Sequence, residues 1–323
     1  MDIKIKESQY KNMKSVVMEN SRLKITIIPE SGSKIQSIYD KCLKKEYLIQ
    51  NPAKTFIKSD YGSYFGDGDV SGFDEIFPSI ESCYYPSWPW KGNVVPDHGE
   101  VWALPWEYEM ENDTIKMSVH GVRFPYIMEK GIVFDQENSL KISYKVRNCS
   151  DFDFYFSWAP HILFDCEKDT TIVLPKSVSQ IISTCSVENK LGGFGSIHSW
   201  PTTKIKGDIY DISKIYPKYA GKCEKYYAMG QVKEGCCSLD SNKNTITLSY
   251  PVEQVPYLGV WEGILNNNYV VALEPCTGDL DFLDTAFQWK RVSILHGNSE
   301  YKWHLILTFI DKEKEETSGL PIN

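Results

Sequence analysis

The amino-acid sequence predicts an all-β protein built as a large antiparallel β-sandwich with few short helices. Two observations favour this class. First, apolar and polar residues alternate with a period of two in many short runs, which is typical of strands that bury one face. Second, runs with the 3.6-residue apolar period of a packed helix are scarce, and strands do not alternate with helices as they do around a parallel sheet.

The alternating runs extend along almost the whole chain. Each run is short, rich in β-branched and aromatic residues, and bounded by Gly, Asn, Asp or Pro, as antiparallel strands usually are. The clearest examples are residues 23–27, 115–119, 140–146, 152–156 and 301–309.

The continuity of these runs predicts one domain. Strand-like segments continue from about Val17 to Phe309 with no linker rich in Pro, Ser or Gly and no repeat of fixed spacing. With 323 residues, 42% of them hydrophobic, the chain has enough apolar material for a large core. Although this length also allows two domains, we expect a single domain over residues 1–323, with a charged, frayed tail at about 311–323.

Charge and hydropathy exclude several classes of partner. The net charge is -8, and no cluster of Lys and Arg is long enough to follow a phosphate backbone, so we expect no nucleic-acid partner. The first residues lack the apolar core of a signal peptide, and no apolar run is long enough to span a bilayer. We therefore expect a soluble, cytoplasmic protein with no membrane partner. The nine cysteines show no C-x-x-C spacing, and we expect most of them to be reduced and buried.

Two segments imitate metal motifs without completing them. Residues 67–72 resemble the start of a calcium loop, but Pro78 replaces the Glu that would complete it, so we expect a solvated turn. His98 and Glu100 form the H-x-E of zinc deaminases, yet the accompanying P-C-x-x-C is missing. The sequence also lacks the motifs of serine hydrolases, P-loop enzymes and dinucleotide-binding proteins.

Three residues in suggestive contexts remain as candidates for catalysis or binding. His98 is followed by Gly and flanked by tryptophans, His161 follows a strand-like run, and Glu274 closes the apolar run 269–273. Burial at the end of such a run raises the pKa of a carboxyl group, which suits a general base. Each residue also has a structural interpretation, and we assign the other four histidines to structural roles: His120, His198, His296 and His304.

Taken together, these segments resemble motifs of the aldose 1-epimerase (galactose mutarotase-like) family, in the same order along the chain. Residues 27–35 have its I-x-P-x-x-G-x-x-I spacing, and residues 98–107 are similar to its HG and PWE motif, with residues 73–78 preceding them. Residues 159–161 resemble the strand end that carries its second His, and residues 273–275 resemble the segment of its late Glu.

The resemblance implies a sandwich of antiparallel sheets with an open sugar cleft, and an enzyme that interconverts the α and β anomers of an aldose. In that family the late Glu removes the proton of the anomeric hydroxyl while the second His protonates the ring oxygen. By resemblance, Glu274 is the general base, His161 is the general acid, and His98 binds a sugar hydroxyl. The reaction needs no metal and no organic cofactor, and the expected partner is a small sugar.

Further residues are expected to contact the sugar. Asp74 lies in the segment that precedes the HG motif, and Trp102 and Trp261 are among the tryptophans that offer a surface to the apolar face of a sugar. Trp102 also occupies the position of an Arg found in the hexose-6-phosphate branch, so phosphate recognition is in doubt. The family's sugar-binding Asp has no clear counterpart, and the nearest candidate is the pair of Glu224 and Lys225.

Two other functions stay open at this point. The fold also hosts sugar-binding proteins without catalysis. A glycoside-cleaving enzyme would need two facing carboxyl groups, for which the sequence supplies Asp74, Glu75, Glu274, Asp279 and Asp281. One Glu and one His within the width of a sugar would favour the epimerase. The sequence is compatible with a monomer or a homodimer.

Overall fold

Antiparallel strands make up almost all of the regular structure, which confirms the predicted all-β class. The computed structural model describes residues 1–187, 190–215 and 223–312. The predicted frayed tail lies, from residue 313 onward, outside the described residues. The first half of the chain contains strands β1 (Lys4–Tyr10), β2 (Met13–Glu19), β3 (Leu23–Ile28), β4 (Lys34–Asp40), β5 (Lys45–Glu46), β6 (Phe73–Ile76), β7 (Cys83–Tyr84), β8 (Val94–Val95), β9 (Glu107–Glu111), β10 (Thr114–His120), β11 (Tyr126–Gln136), β12 (Ser139–Asn148), β13 (Phe154–Phe156) and β14 (Ala159–Ile162).

Strands continue through the second half of the chain, and the helices are few and short, as expected. Among the described residues they are two 3-10 turns, Phe65–Asp67 and Val101–Ala103, and helix α1, Leu283–Gln288. No helix among the described residues has the length and apolarity needed to cross a membrane. The strands of the second half are β15 (Phe164–Cys166), β16 (Thr171–Val173), β17 (Gln180–Ser186), β18 (Ile197–Ser199), β19 (Thr202–Ile205), β20 (Asp208–Asp211), β21 (Cys223–Ala228), β22 (Cys236–Asp240), β23 (Asn244–Ser249), β24 (Tyr257–Leu265), β25 (Asn268–Cys276), β26 (Ser293–Leu295) and β27 (Glu300–Asp311).

Three large sheets organise these strands. The seven-stranded sheet has the order β1-β2-β3-β4-β6-β14, with β5 paired to β4, and the eight-stranded sheet has the order β16-β22-β23-β27-β12-β11-β10-β9. The six-stranded sheet has the order β15-β25-β24-β21-β17-β18. The pairing strands run antiparallel, so consecutive residues alternate between the two faces of each sheet.

The alternation in the sequence matches the alternation of burial. In β27, for example, Trp303, Leu305, Leu307 and Phe309 are buried while the residues between them are partly exposed. These side chains belong to a buried apolar cluster with members from Val16 to Phe309. Burial of this apolar surface is the main driving force for the sandwich. That the whole chain forms one domain stays a prediction.

The calcium-like segment 67–72 differs from the predicted solvated turn. Asp69 and Ser71 are buried, and their backbone carbonyls accept hydrogen bonds from Lys34 Nζ at 2.6 and 2.7 Å. Lys34 also forms an ion pair of 2.8 Å with the buried Asp74. The prediction was wrong because the turn surrounds a lysine ammonium group that the local sequence does not reveal.

The cysteines are also more exposed than expected. Only Cys237 and Cys276 are buried, and the other seven are partly or fully exposed. Several of the exposed thiols occupy strand positions that face outward, such as Cys236 beside the buried Cys237 in β22. The expectation that most would be buried failed because strand periodicity, rather than residue type, decides which thiols face the core.

The chain passes from the seven-stranded to the six-stranded sheet between β14 and β15. In β14, His161 pairs with Asp74 of β6, whereas in β15, Phe164 pairs with Val271 of β25. On the other side of β14, the N–H of Thr277 donates to the carbonyl of Trp158 at 3.0 Å, in the same register. Extending that register through β14 brings His161 directly opposite Glu274 of β25, and β14 and β25 do lie against each other.

The loop that carries His98 is fixed by a close backbone approach. Gly99 has a φ of +74° and forms a parallel bridge with Phe77, and a Cβ atom at Gly99 would lie 1.9 Å from the Phe77 carbonyl oxygen. The N–H of Glu100 donates to that same oxygen at 2.8 Å. Only glycine fits this position, which explains the Gly that follows the candidate His.

We predict that Gly99→Ala destabilises the fold far more than Gly92→Ala. Both glycines have a positive φ, but a Cβ atom at Gly92 would contact nothing within 4 Å. Gly92→Ala should therefore cost only the strain of a left-handed alanine, about 1 kcal/mol, and Gly99→Ala about 3 kcal/mol or more. The measurement is the free energy of unfolding in urea. Equal losses in the two variants would contradict the close approach.

Candidate active site

A cavity of about 330 Å³ lies over the face of the six-stranded sheet that carries Glu274. Strands β14, β21, β24 and β25 provide its floor, and the loop segments around residues 64–66, 80–81 and 97–98 provide its walls. The size suits a small molecule. Five of the seven residues predicted as site residues line it: His98, His161, Lys225, Trp261 and Glu274.

Glu274 is a buried carboxylate with one occupied and one free oxygen. Its side chain is 1% exposed in the middle of the cavity floor. Oε2 accepts a hydrogen bond from Lys225 Nζ, whereas Oε1 has no hydrogen-bond partner within the structure. Burial raises the pKa of Glu274, and Lys225 offsets this effect only in part. The predicted upward shift is thus confirmed, and its cause is desolvation.

His161 is the second buried polar group without a complete set of partners. It is 7% exposed, its Nδ1 has no hydrogen-bond partner, and its ring meets the edge of Phe65 at a centroid distance of 4.9 Å. Burial, and then the electrostatic influence of His98, Lys225 and Lys34, lowers the pKa of His161 well below its ordinary value of 6.5. The imidazole is therefore neutral in the free cavity at neutral pH.

Lys225 joins two carboxylates of the cavity. Its ammonium group contacts Glu274 and lies 3.9 Å from Oδ1 of Asp281, which also accepts a hydrogen bond of 2.6 Å from the Tyr227 hydroxyl. Burial by itself would lower the pKa of Lys225, but the charges of Glu274 and Asp281 outweigh it and raise that pKa. Lys225 thus stays charged inside the protein. At Glu274 burial outweighs the charge of Lys225, and the negative charge of Asp281 adds to the rise in the pKa of Glu274.

Gly259 makes room for the Tyr227 ring, whose hydroxyl binds Asp281. It pairs with Tyr227 on one side and with Glu274 on the other, and it adds no side chain between them. A Cβ atom at Gly259 would lie 2.9 Å from the Tyr227 ring. The gap therefore lets the Tyr227 ring lie over β24, with its hydroxyl donating to Asp281.

His98 is held by its neighbours in a fixed orientation. Its ring stacks on Phe65 at 4.2 Å with an angle of 6°, and its Nδ1 lies 3.0 Å from Oδ1 of Asp97. Hydrogen bonds from His98 and from the N–H of Phe65 lower the pKa of Asp97 despite its partial burial. Because an ionised Asp97 can only accept, Nδ1 of His98 carries the proton and Nε2 is left to accept a hydrogen bond from a ligand.

Trp102 and Asp74 lie behind the cavity wall rather than on it. Trp102 is buried, donates from Nε1 to the Asp97 carbonyl at 2.9 Å, and packs on Phe65. Asp74 is buried against Lys34 and is the register partner of His161. Trp102 supports the loop that holds His98, and Asp74 supports the strand that holds His161. Their direct contact with a sugar stays a prediction.

Among the lining residues that the sequence does not assign to the cavity, four bear on its chemistry or shape: Phe65, Glu81, Asp97 and Asp281. Asp281 had only been considered as a carboxylate for glycoside cleavage. Asp97 precedes His98 directly, so the preference of a catalytic His for a carboxylate partner was a usable signal. Phe65 and Glu81 lie in irregular segments of the chain. In such segments the sequence pattern does not predict which way a side chain points.

A larger groove of about 810 Å³ runs over the outer face of the eight-stranded sheet. Most of its charged side chains face solvent, and several pair with each other, as Lys145 does with Glu129 at 2.7 Å. Lys130, which is buried, is paired with Glu75. Among the described residues that line the groove, the buried polar atom without a partner is Nε1 of Trp303, which does not exchange its proton at ordinary pH, whereas the smaller cavity has a carboxylate oxygen in that state. The smaller cavity is therefore the better candidate for chemistry.

We predict that removing the positive charge of Lys225 destabilises the protein. Lys225→Met leaves Glu274 and Asp281 buried without a cation, which should cost about 3 kcal/mol in the free energy of unfolding. Adding Glu274→Gln to this variant should restore part of the loss, because one of the two stranded charges is then gone. Lys302→Met, on the exposed face of β27, serves as the control. Unfolding of Lys225→Met at the same urea concentration as the native protein would refute the buried ion pair.

The low pKa of His161 predicts a specific pH dependence of stability. Below pH 6.5 the histidine takes up a proton in the unfolded chain but not in the folded protein, so the folded state loses stability as the pH falls toward the folded pKa. His161→Asn should remove the contribution of this histidine to the pH dependence. Between about pH 6.5 and 5.5, the free energy of unfolding of the native protein should therefore fall by about 1 kcal/mol more than that of the variant. Urea unfolding over a pH series measures the difference, with His120→Asn as the exposed control. Parallel curves for the native protein and His161→Asn would contradict the assignment.

Comparison with known proteins gives structural neighbours only. No family model matches the sequence, and no curated protein matches it. The Slr1438 protein of Synechocystis has 13% sequence identity and a TM-score of 0.70, with 94% of this chain and 99% of that chain covered. A galactose mutarotase-like protein of Lactobacillus casei has 17% identity and a TM-score of 0.65, with 91% of this chain and 99% of that chain covered.

A candidate aldose 1-epimerase of Klebsiella pneumoniae extends the same result. It has 14% identity and a TM-score of 0.70, with 98% of this chain and 85% of that chain covered. The matches extend over nearly the whole chain. Because the sequence identities are this low, the comparison shows a shared fold and nothing beyond it. The resemblance that the sequence motifs indicate is confirmed at that level: the chain has the fold of the galactose mutarotase-like proteins.

Proposed function

We propose that the protein is an isomerase that interconverts the α and β anomers of a free aldose, with Glu274 as general base and His161 as general acid. The observation that carries the proposal is the pair of buried polar atoms without protein partners in one cavity. Oε1 of Glu274 and Nδ1 of His161 belong to side chains that line the same cavity and are opposite each other in register. Buried polar groups without partners are rare in folded proteins and often mark a site that a ligand completes.

The proposed reaction moves two protons. Glu274 takes the proton of the anomeric hydroxyl while His161, in its protonated form, gives a proton to the ring oxygen. The bond between C1 and the ring oxygen breaks, the open-chain aldehyde rotates about its C1-C2 bond, and closure on the other face returns both protons. An acid and a base on opposite sides of the sugar are what this sequence of transfers requires.

Burial suits the two groups to a reversible reaction. It raises the pKa of Glu274 and lowers the pKa of His161, so the two values move toward each other. Each ring opening transfers one proton from His161 and one proton to Glu274, and each ring closure does the reverse. When the two pKa values are similar, neither direction is penalised by a large difference in proton affinity.

Lys225 is proposed to orient the base. Its hydrogen bond occupies Oε2 of Glu274 and leaves Oε1 for the anomeric hydroxyl. Its positive charge also counteracts the desolvation of Glu274, so that part of the carboxyl population stays ionised. Without this contact, the burial of Glu274 would favour the protonated form, which cannot act as a base.

His98 and Trp261 are proposed to bind the sugar. The free Nε2 of His98 is available to a hydroxyl group, since Asp97 already engages Nδ1. Trp261 is partly exposed on the cavity wall and offers an aromatic face to the C–H groups of a pyranose. A role in carbohydrate metabolism follows from this function. The cytoplasmic location and the monomeric or homodimeric state stay predictions.

A glycoside-cleaving enzyme is less well supported by the positions of the carboxylates. Asp74, Glu75 and Asp279 are engaged in ion pairs with Lys34, Lys130 and Arg291. Among the five carboxylates considered for hydrolysis, this leaves Glu274 and Asp281 in the cavity. Both contact Lys225, whose charge favours their ionised forms, whereas a glycosidase needs one carboxyl group that holds a proton.

We expect the protein to accelerate anomer exchange, measured by saturation-transfer NMR over a panel of free aldoses. Glu274→Gln and His161→Asn should each lower kcat by about a hundredfold, because each removes one of the two proton transfers. Glu274→Gln keeps the size of the native side chain, His161→Asn replaces the ring by a smaller amide, and the folding of both variants is checked by urea unfolding.

Two outcomes would refute the proposed catalysis. The first is the absence of acceleration by the native protein for every aldose tested. The second is an acceleration that survives both substitutions. His296→Asn, which replaces an exposed histidine paired with Asp153, is the matched control and should exchange anomers at the native rate. Quenching of tryptophan fluorescence by a sugar without anomer exchange would indicate a binding protein instead.

A further inference from the structure

The charges that line the cavity are strongly unbalanced. Its described lining includes four carboxylates and a single lysine or arginine, which is Lys225. The carboxylates are those of Glu81, Asp97, Glu274 and Asp281. The cavity is also built for a ligand, since Glu274, only 1% exposed, leaves Oε1 without a partner there. A ligand in this cavity therefore meets an excess of negative charge.

Lys225 is not free to bind an anion. Its ammonium group is already in contact with Glu274 and lies 3.9 Å from Asp281, so two carboxylates share one positive charge. A phosphate or carboxylate on the sugar would have to compete with both of them. It would also meet the repulsion of Glu81 and Asp97 in a partly desolvated space, where charges interact more strongly than in water.

Glu81 is the carboxylate with no protein partner. The N–H of Glu81 donates to the Asp281 carbonyl at 2.8 Å, and the Ser79 hydroxyl donates to the Glu81 carbonyl at 2.8 Å, so the backbone is fixed at the cavity wall. No hydrogen bond or ion pair to the Glu81 side chain is present among the described residues. Burial, and then the charges of Asp97 and Asp281, raise the pKa of Glu81, and His98 and Lys225 offset this rise only in part.

We propose that the substrate is an amino sugar, whose ammonium group pairs with Glu81. This inference rests on the proposed anomer exchange and adds the substrate class to it. An ammonium group would supply the missing positive charge beside Glu81 and would relieve its repulsion with Asp97 and Asp281. A neutral sugar gains only hydrogen bonds there, and a phosphorylated or acidic sugar is repelled. A charged hydrogen bond is worth more than a neutral one, so the charge of the sugar becomes a basis for selection.

The test compares sugars that differ in one substituent, which carries a positive charge, no charge or a negative charge. Anomer exchange is measured for glucosamine, for its parent glucose, for neutral N-acetylglucosamine and for a phosphate ester of glucose, and then for the corresponding galactose series. We expect kcat/KM for the amino sugar to exceed that for the parent sugar by about tenfold or more, with the phosphate ester slowest. Equal or faster exchange of the parent sugar or of the phosphate ester would overturn the proposal.

Substitution of Glu81 identifies the residue responsible. Glu81→Gln should lower the ratio of kcat/KM between the amino sugar and its parent by about tenfold, since the amide keeps the size of the side chain and loses its charge. Glu109→Gln, on the exposed strand β9, should leave that ratio at the native value. An unchanged ratio in Glu81→Gln would overturn the assignment. If this variant fails to fold, the comparison of sugars with the native protein still decides on the substrate class.

The failure of this inference can be told apart from the failure of the proposed function. If no sugar undergoes accelerated exchange, the proposed catalysis is wrong, and binding measured by quenching of tryptophan fluorescence takes over as the test. Tighter binding of the amino sugar than of its parent and its phosphate ester would then support the role of Glu81. Equal binding of the three sugars would refute it. Exchange of the neutral and phosphorylated sugars without preference for the amine refutes the substrate class alone.

Discussion

The packing of the seven-stranded sheet against the eight-stranded sheet depends on the hydrogen bonds of one buried carboxylate, that of Glu75. It accepts hydrogen bonds from Lys130 at 3.2 Å, from the Tyr144 hydroxyl at 3.0 Å and from Trp158 Nε1 at 2.9 Å. These partners come from β11, β12 and the segment before β14, so one side chain connects the seven-stranded sheet to the eight-stranded sheet. A buried charge that loses its partners costs several kcal/mol, and the two sheets can therefore pack in only one way at this point.

The position of the cavity follows from that fixed strand. Asp74, the neighbour of Glu75, points to the other face of β6, where it pairs with Lys34 and sits in register with His161. The short strand β14 is held between β6 and β25, so His161 comes to lie opposite Glu274. The candidate acid and base thus belong to two different sheets, and the contact of those sheets, rather than a flexible loop, sets the distance between them.

The sequence predicted the fold class and pointed to residues that line one cavity, because both leave local signals. Period-two alternation reports strands, and the order of short motifs pointed to His98, His161 and Glu274. What the sequence could not show are contacts between segments that are distant along the chain. The cation held by the 67–72 turn is a lysine from β4, and the carboxylate that shares Lys225 with Glu274 follows β25 in a loop. No periodic pattern in the sequence indicates either of these contacts.

The same physical cause, burial, acts in opposite directions on the two candidate catalytic groups. It disfavours the charged form of each, so it raises the pKa of Glu274 and lowers the pKa of His161. A deeper cavity would strengthen both shifts, and the carboxylate form of Glu274 and the imidazolium form of His161 would both become rarer. Lys225 limits the effect at Glu274, because its charge favours the carboxylate, while the same charge makes protonation of His161 harder. Lys225 therefore shifts the pKa values of both Glu274 and His161 downward. Its distance from each of the two groups decides how large the difference between the two pKa values is.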